Sequence, residues 1–397
     1  MKSLRELYKI GRGPSSSHTM GPERACKYFI ERTEGADSYT VILYGSLALT
    51  GKGHQTDAAI EITFGERHVK VVFDTETSGL PHENTMDFIA YKNGAELLRK
   101  RILSVGGGDI RIEGHPEADK PEIYDHKCFR EIADYCNSKN IRLCDYVYEH
   151  EDSDIKGFLY EIWETMKAEI QSGLTTTGVL PGGLGVRRVA QLLYHRRHID
   201  ESPETRENRI VCAYAFAAAE HNADCGTIVT APTCGACAVL PSVLKYMQEK
   251  KGFSDAKVID ALAVGGLVGN IVKQNASISG AECGCQAEIG TACAMAAAAL
   301  AELFEMGIDQ IEYAAEMSLE HMLGLTCDPV CGLVQIPCIE RNAVAAMRAI
   351  NAISLANFLT GTRKISFDMV VKTMYETGKD INSHYRETSK GGLAKLF

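Results

Sequence analysis

Apolar residues recur at helical spacing through most of the second half of the chain. In the segment 155–171 they fall on one side of a helix with 3.6 residues per turn, at Ile155, Phe158, Leu159, Ile162, Met166 and Ile170. Several later segments are apolar on all sides, which is typical of helices buried inside a bundle. The pattern therefore predicts helices at 155–171, 209–222, 256–273, 285–304, 342–357 and 366–377.

The residues before position 150 show a different, mixed pattern. Runs rich in Val, Ile, Tyr and Phe predict strands at 40–49 and 68–73 and a short strand at 110–112, while 59–64 alternates only weakly. Helices are predicted at 20–33, where Pro22 suits the first turn, and at 127–138.

We therefore expect an α+β protein, with a small mixed α/β N-terminal domain followed by a larger all-helical C-terminal domain. The charged segment 150–156 is the natural boundary, which divides the chain into domains 1–150 and 151–397. Because this segment is too short to act as a free linker, we expect the two domains to pack together.

Composition narrows the class of protein without naming a function. The 397 residues carry 42 basic and 52 acidic side chains, a net charge of −10, which disfavours a nucleic-acid partner. The sequence shows neither a signal peptide nor an apolar run long enough to span a membrane, so we expect a cytoplasmic protein without a membrane partner. In that compartment its 14 cysteines should be reduced, and clustered ones suggest metal binding or catalysis.

One polar segment stands out near the start of the chain. Residues 13–22, GPSSSHTMGP, place three serines, a histidine and a threonine directly before a predicted helix. A plain helix cap needs only one hydroxyl. A helix N-terminus with several further donors is also a ready anion site, so both interpretations remain open from the residues alone.

Five cysteines gather in two segments of the helical part. SGAECGCQAEIG (279–290) holds Cys283 and Cys285, and TCDPVCGLVQIPC (326–338) holds Cys327, Cys331 and Cys338. The spacing fits neither a structural zinc site nor a bacterial ferredoxin. By spacing alone, free cysteines buried in an Ala-rich core are an equal alternative. The neighbouring Gly, Pro and Asp residues indicate that these cysteines lie where helices begin or end, and a thiolate at a helix N-terminus is stabilised by the helix dipole and free N–H groups.

Seven motifs together give the chain a specific resemblance. In order they are SSSHTMGP, GKGHQTDAA, HENTM, TAPTCGACAVLP, NASISGAECGCQAEIG, CDPVCGLVQIPCIERN and YRETSKGGLA, which extend from residue 15 to residue 394. In these motifs the chain resembles the iron–sulfur-dependent L-serine dehydratases, or L-serine ammonia-lyases, in the form with fused β and α domains. The resemblance implies a lyase that converts L-serine to pyruvate and ammonia, serves amino-acid degradation and gluconeogenesis, is oxygen-sensitive and forms a homodimer.

The resemblance also implies a cofactor and its ligands. The family holds a [4Fe–4S] cluster through three cysteines, which leaves one iron open to act as a Lewis acid on the substrate hydroxyl. By motif the ligands are Cys285, Cys327 and Cys338, whereas Cys283 and Cys331 fall where the family commonly has other residues.

Roles for the polar motifs follow from the same resemblance. His54, which in isolation would pass for a histidine of a surface turn, becomes the base that removes the α proton. The candidates for binding the substrate are Ser16, Ser17, His18, Thr19, His82, Asn84, Thr85, Asn275 and Ser277. Glu83 departs from the family pattern, which usually has proline there.

Three other functions remain as alternatives. A pyridoxal-phosphate serine dehydratase would need a Schiff-base lysine and a phosphate cup, for which no clear setting exists. A metabolite or redox sensor could use the same cluster without catalysis. A structural zinc protein could use the same cysteines. The sequence does not distinguish L-serine from L-threonine as substrate, because one methyl group changes binding by only about 1–3 kcal/mol.

Overall fold

The computed structural model describes residues 1–114, 120–196, 199–359, 361–387 and 391–397. Within these ranges the chain has a small α/β part near its N-terminus and a larger helical part after it, which confirms the expected fold class. The strands are β1 (Ile10–Arg12), β2 (Ser38–Tyr44), β3 (Val69–Asp74), β4 (Thr85–Lys92), β5 (Ala95–Gly106), β6 (Asp109–Ile112) and β7 (Thr227–Val229).

The α/β part is built on a five-stranded sheet in the order β3-β2-β4-β5-β6. Strands β2 and β3 are parallel, and the other neighbours are antiparallel. Two helices, α1 (Gly21–Ile30) and α3 (Thr56–Phe64), pack together on one face of the sheet. Alternate residues of the central strands, such as Val41, Leu43 and Phe88, are fully buried against them. Burying this apolar face stabilises the sheet.

One prediction in this part was wrong. The predicted strand 40–49 ends at Tyr44, and its second half is a short helix, α2 (Gly45–Thr50). Gly45 has φ +54°, and a Cβ there would lie 2.4 Å from the Glu83 carbonyl oxygen, so the chain turns where only glycine fits. The weakly alternating segment 59–64 lies within α3, because its apolar residues pack on α1 and the sheet. The sequence pattern also missed β4 and β5.

The helical part contains the remaining longer helices. They are α4 (Phe129–Lys139), α5 (Leu143–His150), α6 (Ile155–Thr175), α7 (Ala190–His195), α8 (Pro203–Ala223), α9 (Val239–Lys251), α10 (Asp255–Asn275), α11 (Gly280–Cys283), α12 (Thr291–Leu303), α13 (Ile308–Glu320), α14 (Cys338–Phe358), α15 (Phe367–Asp380) and α16 (Gly392–Leu396). The six helices predicted from periodicity are confirmed, with ends shifted by a few residues.

Helix α12 forms the centre of the helical part. All of its residues from Thr291 to Leu303 are buried, and it packs against α9, α10, α13 and α14. Its run of alanines allows these neighbours to approach closely, because small side chains let helix axes come together. At the N-terminal ends of these central helices, backbone N–H groups have no partner within the helix, so a ligand can bind there.

The first residues of the chain belong to the helical core. Leu4, Leu7 and Tyr8 are buried there, and α4 and α5 pack in the same core. Residues of β2 to β6 pack in the core of the sheet, and residues from α4 onward pack in the core of the helical part. The division into domains 1–150 and 151–397 stays a prediction.

A two-stranded ladder joins the two parts directly before the polar N-terminal segment. Strand β1 pairs antiparallel with β7, so that Ile10 lies opposite Val229 and Arg12 opposite Thr227. The chain then passes through Gly13 and Pro14 into the turn that precedes α1. This pairing holds that turn against the helical part. In the described residues, every helix is too short or too polar to cross a membrane.

Candidate active site

A cavity of about 600 Å³ lies between the α/β part and the helical part. Its α/β wall comes from the turn before α1, the turn before β4 and the β5–β6 end of the sheet. Its helical wall comes from the segments around the cysteines. Residues lining it include Ser15, Ser16, Ser17, His82, Asn84, Asp109, Thr233, Cys234, Gly235, Glu282, Cys285, Glu288, Cys327, Cys338 and Glu387.

The serine-rich segment forms a wide helical turn, Ser16–Met20, that continues into α1. Ser15 caps it: its hydroxyl accepts from the His18 N–H at 3.3 Å, and its carbonyl accepts from Thr19 and Met20. Because the cap uses Ser15, the half-buried hydroxyls of Ser16 and Ser17 are left on the cavity wall. The segment thus combines a plain cap with further hydroxyls that face a ligand space.

His18 and His54 form a buried pair behind this turn. Their ring centroids are 4.6 Å apart. His18 contacts the Ser17 hydroxyl through Nδ1 at 2.9 Å and the Thr50 hydroxyl through Nε2 at 2.9 Å. Burial lowers the pKa of His54 to about 4 and that of His18 to about 3, so both rings are neutral at pH 7.

His54 has a free nitrogen but does not line the cavity itself. Its Nδ1 is buried without a hydrogen-bond partner among the described residues. Its loop packs on the helical part: the Gln55 side chain donates to the Ala223 carbonyl at 2.7 Å, and Gly53 faces Leu333. His54 therefore lies at the junction of the two parts, next to the His18 ring, which in turn contacts the Ser17 hydroxyl.

The turn 82–85 brings two predicted residues to the cavity. His82 and Asn84 line it, and the His82 Nδ1 accepts from the Asn84 N–H at 3.0 Å. The Asn84 side-chain oxygen is buried without a partner in the described structure, which leaves it free to accept from a ligand. Thr85 closes the turn by donating to the His82 carbonyl at 2.6 Å, so its hydroxyl holds the turn and does not line the cavity.

Three cysteines meet on the helical wall. Cys285 begins the turn Gln286–Gly290 that leads into α12, Cys338 begins α14, and Cys327 lies in the loop after α13. The Sγ atoms of Cys285 and Cys327 and a carboxylate oxygen of Glu288 all lie within 4.8 Å of one another. The contact with Cys285 and burial raise the pKa of the Cys327 thiol, and burial raises the pKa of Cys338.

The other two cysteines of these segments point elsewhere. Cys283 is buried beside Gly378 of α15, where an added Cβ would lie 2.7 Å from its sulfur. Cys331 is exposed, in a turn with φ +54°. Neither lines the cavity, so the structure does not bring them to the three-cysteine wall.

The loop that carries Cys327 is anchored by the C-terminal segment. The Cys327 N–H donates to the Tyr385 carbonyl at 2.8 Å, and the Glu387 N–H donates to the Cys327 carbonyl at 2.7 Å. Asp328 accepts from the Leu393 N–H at 2.8 Å and from Arg341 of α14 at 3.3 Å. Residues 388–390 of the YRETSKGGLA motif lie outside the described residues.

Three further predicted substrate ligands have other partners in the structure. Thr19 is fully buried, and its hydroxyl donates to the Ser15 carbonyl at 2.6 Å. Asn275 is exposed at the end of α10 and donates to the Lys127 carbonyl at 2.6 Å. The Ser277 hydroxyl accepts from the Ser279 N–H at 3.1 Å. None of the three lines the cavity; each binds backbone near the site, and their contact with substrate stays a prediction.

The sequence analysis missed several cavity residues, chiefly Thr233, Cys234 and Glu288. Thr233 and Cys234 lie in the TAPTCGACAVLP motif, which carries part of the resemblance although no site residue was taken from it. Glu288 follows Cys285 by three positions, a spacing that puts both on one helix face. An acidic residue in an otherwise apolar helix start was the signal that could have revealed it. Burial raises the pKa of Glu288, which Thr233 and Arg341 partly offset.

The donor set of the helical wall suits a soft metal centre. Three thiols from separate segments converge, and thiolates are the ligands that iron–sulfur centres use. The wall is also shaped for close approach, because a Cβ at Gly280 would lie 3.0 Å from the Cys327 sulfur and 2.9 Å from a Glu288 oxygen. These residues therefore fit an iron–sulfur group, and Gly280 leaves space beside the Cys327 thiol because it has no side chain.

Fold and cavity together define a two-part chain in which hydroxyl and imidazole groups of an α/β part face thiols of a helical part. The family model described as serine dehydratase beta chain matches residues 3–70, and the one described as serine dehydratase alpha chain matches residues 76–394. The chain belongs to the serine dehydratase family and is an enzyme of that family, which confirms the resemblance seen in the motifs.

Curated relatives resemble the chain over its whole length. L-serine dehydratase TdcG of Escherichia coli strain K12 is 41% identical, covering 99% of this chain and 99% of the relative. L-serine dehydratase of Haemophilus influenzae is 39% identical, covering 99% of both chains. L-serine dehydratase of Streptomyces coelicolor is 39% identical, covering 99% of this chain and 98% of the relative.

Proposed function

We propose that this protein is an iron–sulfur L-serine dehydratase that converts L-serine to pyruvate and ammonia. The reaction breaks the Cα–H bond and the Cβ–O bond, and the resulting enamine tautomerises to an imine that water hydrolyses. The observation that carries the proposal is the shared cavity, with Ser16 and Ser17 on one wall and Cys285, Cys327 and Cys338 on the other.

The three cysteines are the residues that would hold the cofactor. When bound, a [4Fe–4S] cluster with three cysteine ligands would supply an open iron as Lewis acid for the substrate hydroxyl, a poor leaving group. Ligation requires the thiolates, so loading releases protons from thiols that burial keeps neutral. Cys283 and Cys331 take no part in this assignment.

The opposite wall holds the rest of the substrate. Ser16 and Ser17 offer hydroxyl donors to the substrate carboxylate, at the start of a helix whose N-terminal dipole favours negative charge. His82 and Asn84 extend this polar wall from the neighbouring turn. These contacts orient L-serine with its hydroxyl toward the cysteines. The bound substrate is thereby held in the orientation that elimination requires.

His54 is the base in this proposal. A base must be unprotonated before it accepts a proton, and the lowered pKa of His54 keeps the ring neutral at physiological pH. The unpartnered Nδ1 has the lone pair that accepts the α proton in the tautomer that carries its hydrogen on Nε2. His18 contacts both the serine wall and the His54 ring, so it positions the base relative to the substrate.

Anaerobic reconstitution with iron and sulfide, followed by a pyruvate assay with L-serine, tests the proposal. We expect pyruvate formation that depends on iron and is lost on exposure to air. A yellow aldimine absorbance instead of a broad brown one would indicate the pyridoxal-phosphate alternative. Bound zinc without sulfide would indicate a structural site, and iron loading with serine binding but no pyruvate would indicate a sensor.

Location and assembly remain predictions from the sequence and the resemblance. We propose a cytoplasmic homodimer without a nucleic-acid or membrane partner. Light scattering of the reconstituted protein after size-exclusion chromatography measures the assembly, and a mass of about one chain would contradict the dimer. The same preparation, assayed with L-threonine, measures how strongly the site prefers L-serine.

A further inference from the structure

Four carboxylates line the cavity in the described part of the chain, and three of them are engaged elsewhere. Asp109 accepts from Lys9 at 2.5 Å and from Arg24 at 3.1 Å. Glu282 accepts from Lys379 at 2.7 Å. Glu387 accepts from the backbone N–H of Ala281. Asp109 and Glu282 are thereby held in ion pairs, whereas Glu387 is held by a backbone N–H and has no cation among the described residues.

Glu288 differs from the other three carboxylates. Among the described residues it has no Lys, Arg or His within ion-pair distance; the charge of Arg341 acts on it only from farther away, because the guanidinium is held by Thr326 and Asp328. It is half-buried in the cavity wall. A carboxylate removed from water without a cation is costly unless something supplies the opposite charge. The structure therefore leaves the Glu288 carboxyl in the cavity wall without a cation, and a cationic ligand group beside it would stabilise its charged form.

The Glu288 carboxylate lies beside two of the proposed cysteine ligands and faces two glycines. A carboxylate oxygen lies within 4.8 Å of both the Cys285 and the Cys327 sulfur. Two glycines face the same carboxylate: an added Cβ would lie 2.9 Å from it at Gly280 and 3.6 Å at Gly235. Side chains at either position would cover the carboxylate. The glycines thus keep it open to the cavity beside the thiols.

L-serine presents a charge that suits this carboxylate. Its hydroxyl is assigned to the thiol side and its carboxylate to the hydroxyls of Ser16 and Ser17, which leaves the ammonium group on Cα without a partner. Asn84 offers a free amide oxygen, but a neutral acceptor does not balance the charge. A charge-assisted hydrogen bond to a carboxylate does, and it is the stronger contact.

We propose that Glu288 binds the α-ammonium group of the substrate and thereby restricts the cavity to α-amino acids. This inference rests on the proposed function, since it takes L-serine as the substrate. Glu288 is then a substrate-binding residue and a determinant of specificity. In this proposal the Glu288 carboxylate lies beside the cysteines and balances the charge of the substrate ammonium group. Glu288 is not a metal ligand.

The test compares Glu288→Gln with the wild type as reconstituted holoenzymes. Glutamine keeps the size and a hydrogen-bond acceptor but removes the charge. We expect the KM for L-serine to rise about 10- to 150-fold, the range for loss of a hydrogen bond to a charged group. The inhibition constant of 3-hydroxypropanoate, which has the hydroxyl and carboxylate but lacks the amine, should stay within about threefold of the wild type.

Glu282→Gln is the matched control, because this residue lines the same cavity but is paired with Lys379 on its outer side. We expect its KM for L-serine to stay within about twofold, since the substrate ammonium does not meet it. Iron and sulfide are counted in all three proteins. Glu288→Asp, which restores the charge on a shorter side chain, should recover part of the affinity.

Several outcomes would overturn the inference. One is an unchanged KM in Glu288→Gln, and another is an equal loss of affinity for 3-hydroxypropanoate. A loss of iron would make Glu288 a metal ligand instead. A wild type that forms no pyruvate would refute the proposed function, and the inference would then be judged by ligand binding. In that case, thermal stabilisation of the holoenzyme by L-serine that is abolished in Glu288→Gln, while stabilisation by 3-hydroxypropanoate is kept, would support amine binding alone; its persistence with L-serine in the variant would refute it.

Discussion

The Ser16 hydroxyl lies 3.3 Å from the Cys234 sulfur and accepts from the Cys234 N–H at 3.3 Å. This contact ties the turn before α1 to the segment before α9, although the residues are 218 positions apart. Both side chains line the cavity. The two parts of the chain therefore meet at the wall of the proposed substrate cavity, so a change in either part alters the surroundings of the ligand.

Ser16→Ala should weaken substrate binding more than it weakens the fold. We expect the KM for L-serine to rise about 5- to 10-fold, as for loss of one hydrogen bond, with a change in unfolding free energy of at most about 1 kcal/mol. Steady-state kinetics and urea unfolding measure the two quantities. Cys234→Ala removes the sulfur contact but keeps the Ser16 hydroxyl and the backbone N–H that donates to it, so an equal rise in KM there would show that Ser16 acts only through the Cys234 sulfur.

Thr19→Val should have the opposite profile. The Thr19 hydroxyl is buried, donates to the Ser15 carbonyl and accepts from the Ser15 N–H at 3.0 Å. Losing it leaves the buried Ser15 N–H unpaired, at a cost of about 1–3 kcal/mol in unfolding free energy. We expect a smaller change in KM than for Ser16→Ala. A KM raised strongly with unchanged stability would restore Thr19 as a substrate ligand.

Substituting the five clustered cysteines one at a time tests the ligand assignment. We expect Cys285→Ala, Cys327→Ala and Cys338→Ala to lose most bound iron and activity after anaerobic reconstitution, because each removes a proposed thiolate ligand. Cys283→Ala and Cys331→Ala serve as controls and should keep both, since neither sulfur lines the cavity. Full iron retention in Cys327→Ala would refute the assignment.

His54→Gln should abolish proton abstraction while leaving the cofactor in place. Loss of a general base reduces kcat by about 10²- to 10⁴-fold. Exchange of the α hydrogen of L-serine with deuterated solvent and pyruvate formation are the measurements, with iron content as a check. His321→Gln, a change of an exposed histidine near the end of α13, is the control. If His18→Asn were inactive while His54→Gln kept its activity, the base would be His18.

The buried histidines predict that acid destabilises the fold. Because the pKa of His54 is lowered to about 4, the unfolded chain binds the extra proton first as the pH falls. Stability from this group is complete above about pH 6.5 and is lost as the pH falls toward 4. At pH 5 the loss is on the order of 2 kcal/mol relative to pH 7. Urea unfolding of cluster-free protein should show a smaller acid effect in His54→Gln than in the wild type.

Gly392→Ala should loosen the C-terminal anchor of the Cys327 loop. Gly392 has φ +57°, and a Cβ there would lie 2.1 Å from an Asp328 carboxylate oxygen. We expect this strain, about 1–3 kcal/mol, to displace the Leu393 contact and to speed iron loss to a chelator. Gly252→Ala is the control, since Gly252 also has a positive φ but has open space around it. Equal iron loss in both variants would show that only backbone strain matters.

Helices with strong periodicity were predictable from the sequence because their burial is repeated along one segment. Helices α6, α8 and α10 show this, with apolar residues on one side or on all sides. Strands β4 and β5 pair with each other across a short turn, but they were missed because charged residues interrupt their apolar alternation, in TMDFIAYK and AELLRKRILSVG. Residues 45–49 were predicted as strand from composition, whereas the chain turns at Gly45 into helix α2.

The amino-acid sequence by itself determined the fold class, the family and the two sets of residues that the site combines. The motifs around Ser16 and Cys285 are local, so their chemistry can be read from neighbouring residues. Only the tertiary structure decided which side chains face the cavity: Ser16 and Ser17 do, whereas Thr19, Asn275 and Ser277 bind backbone. It also revealed Glu288, because a missing ion-pair partner is a property of everything packed around a residue, which no single segment encodes.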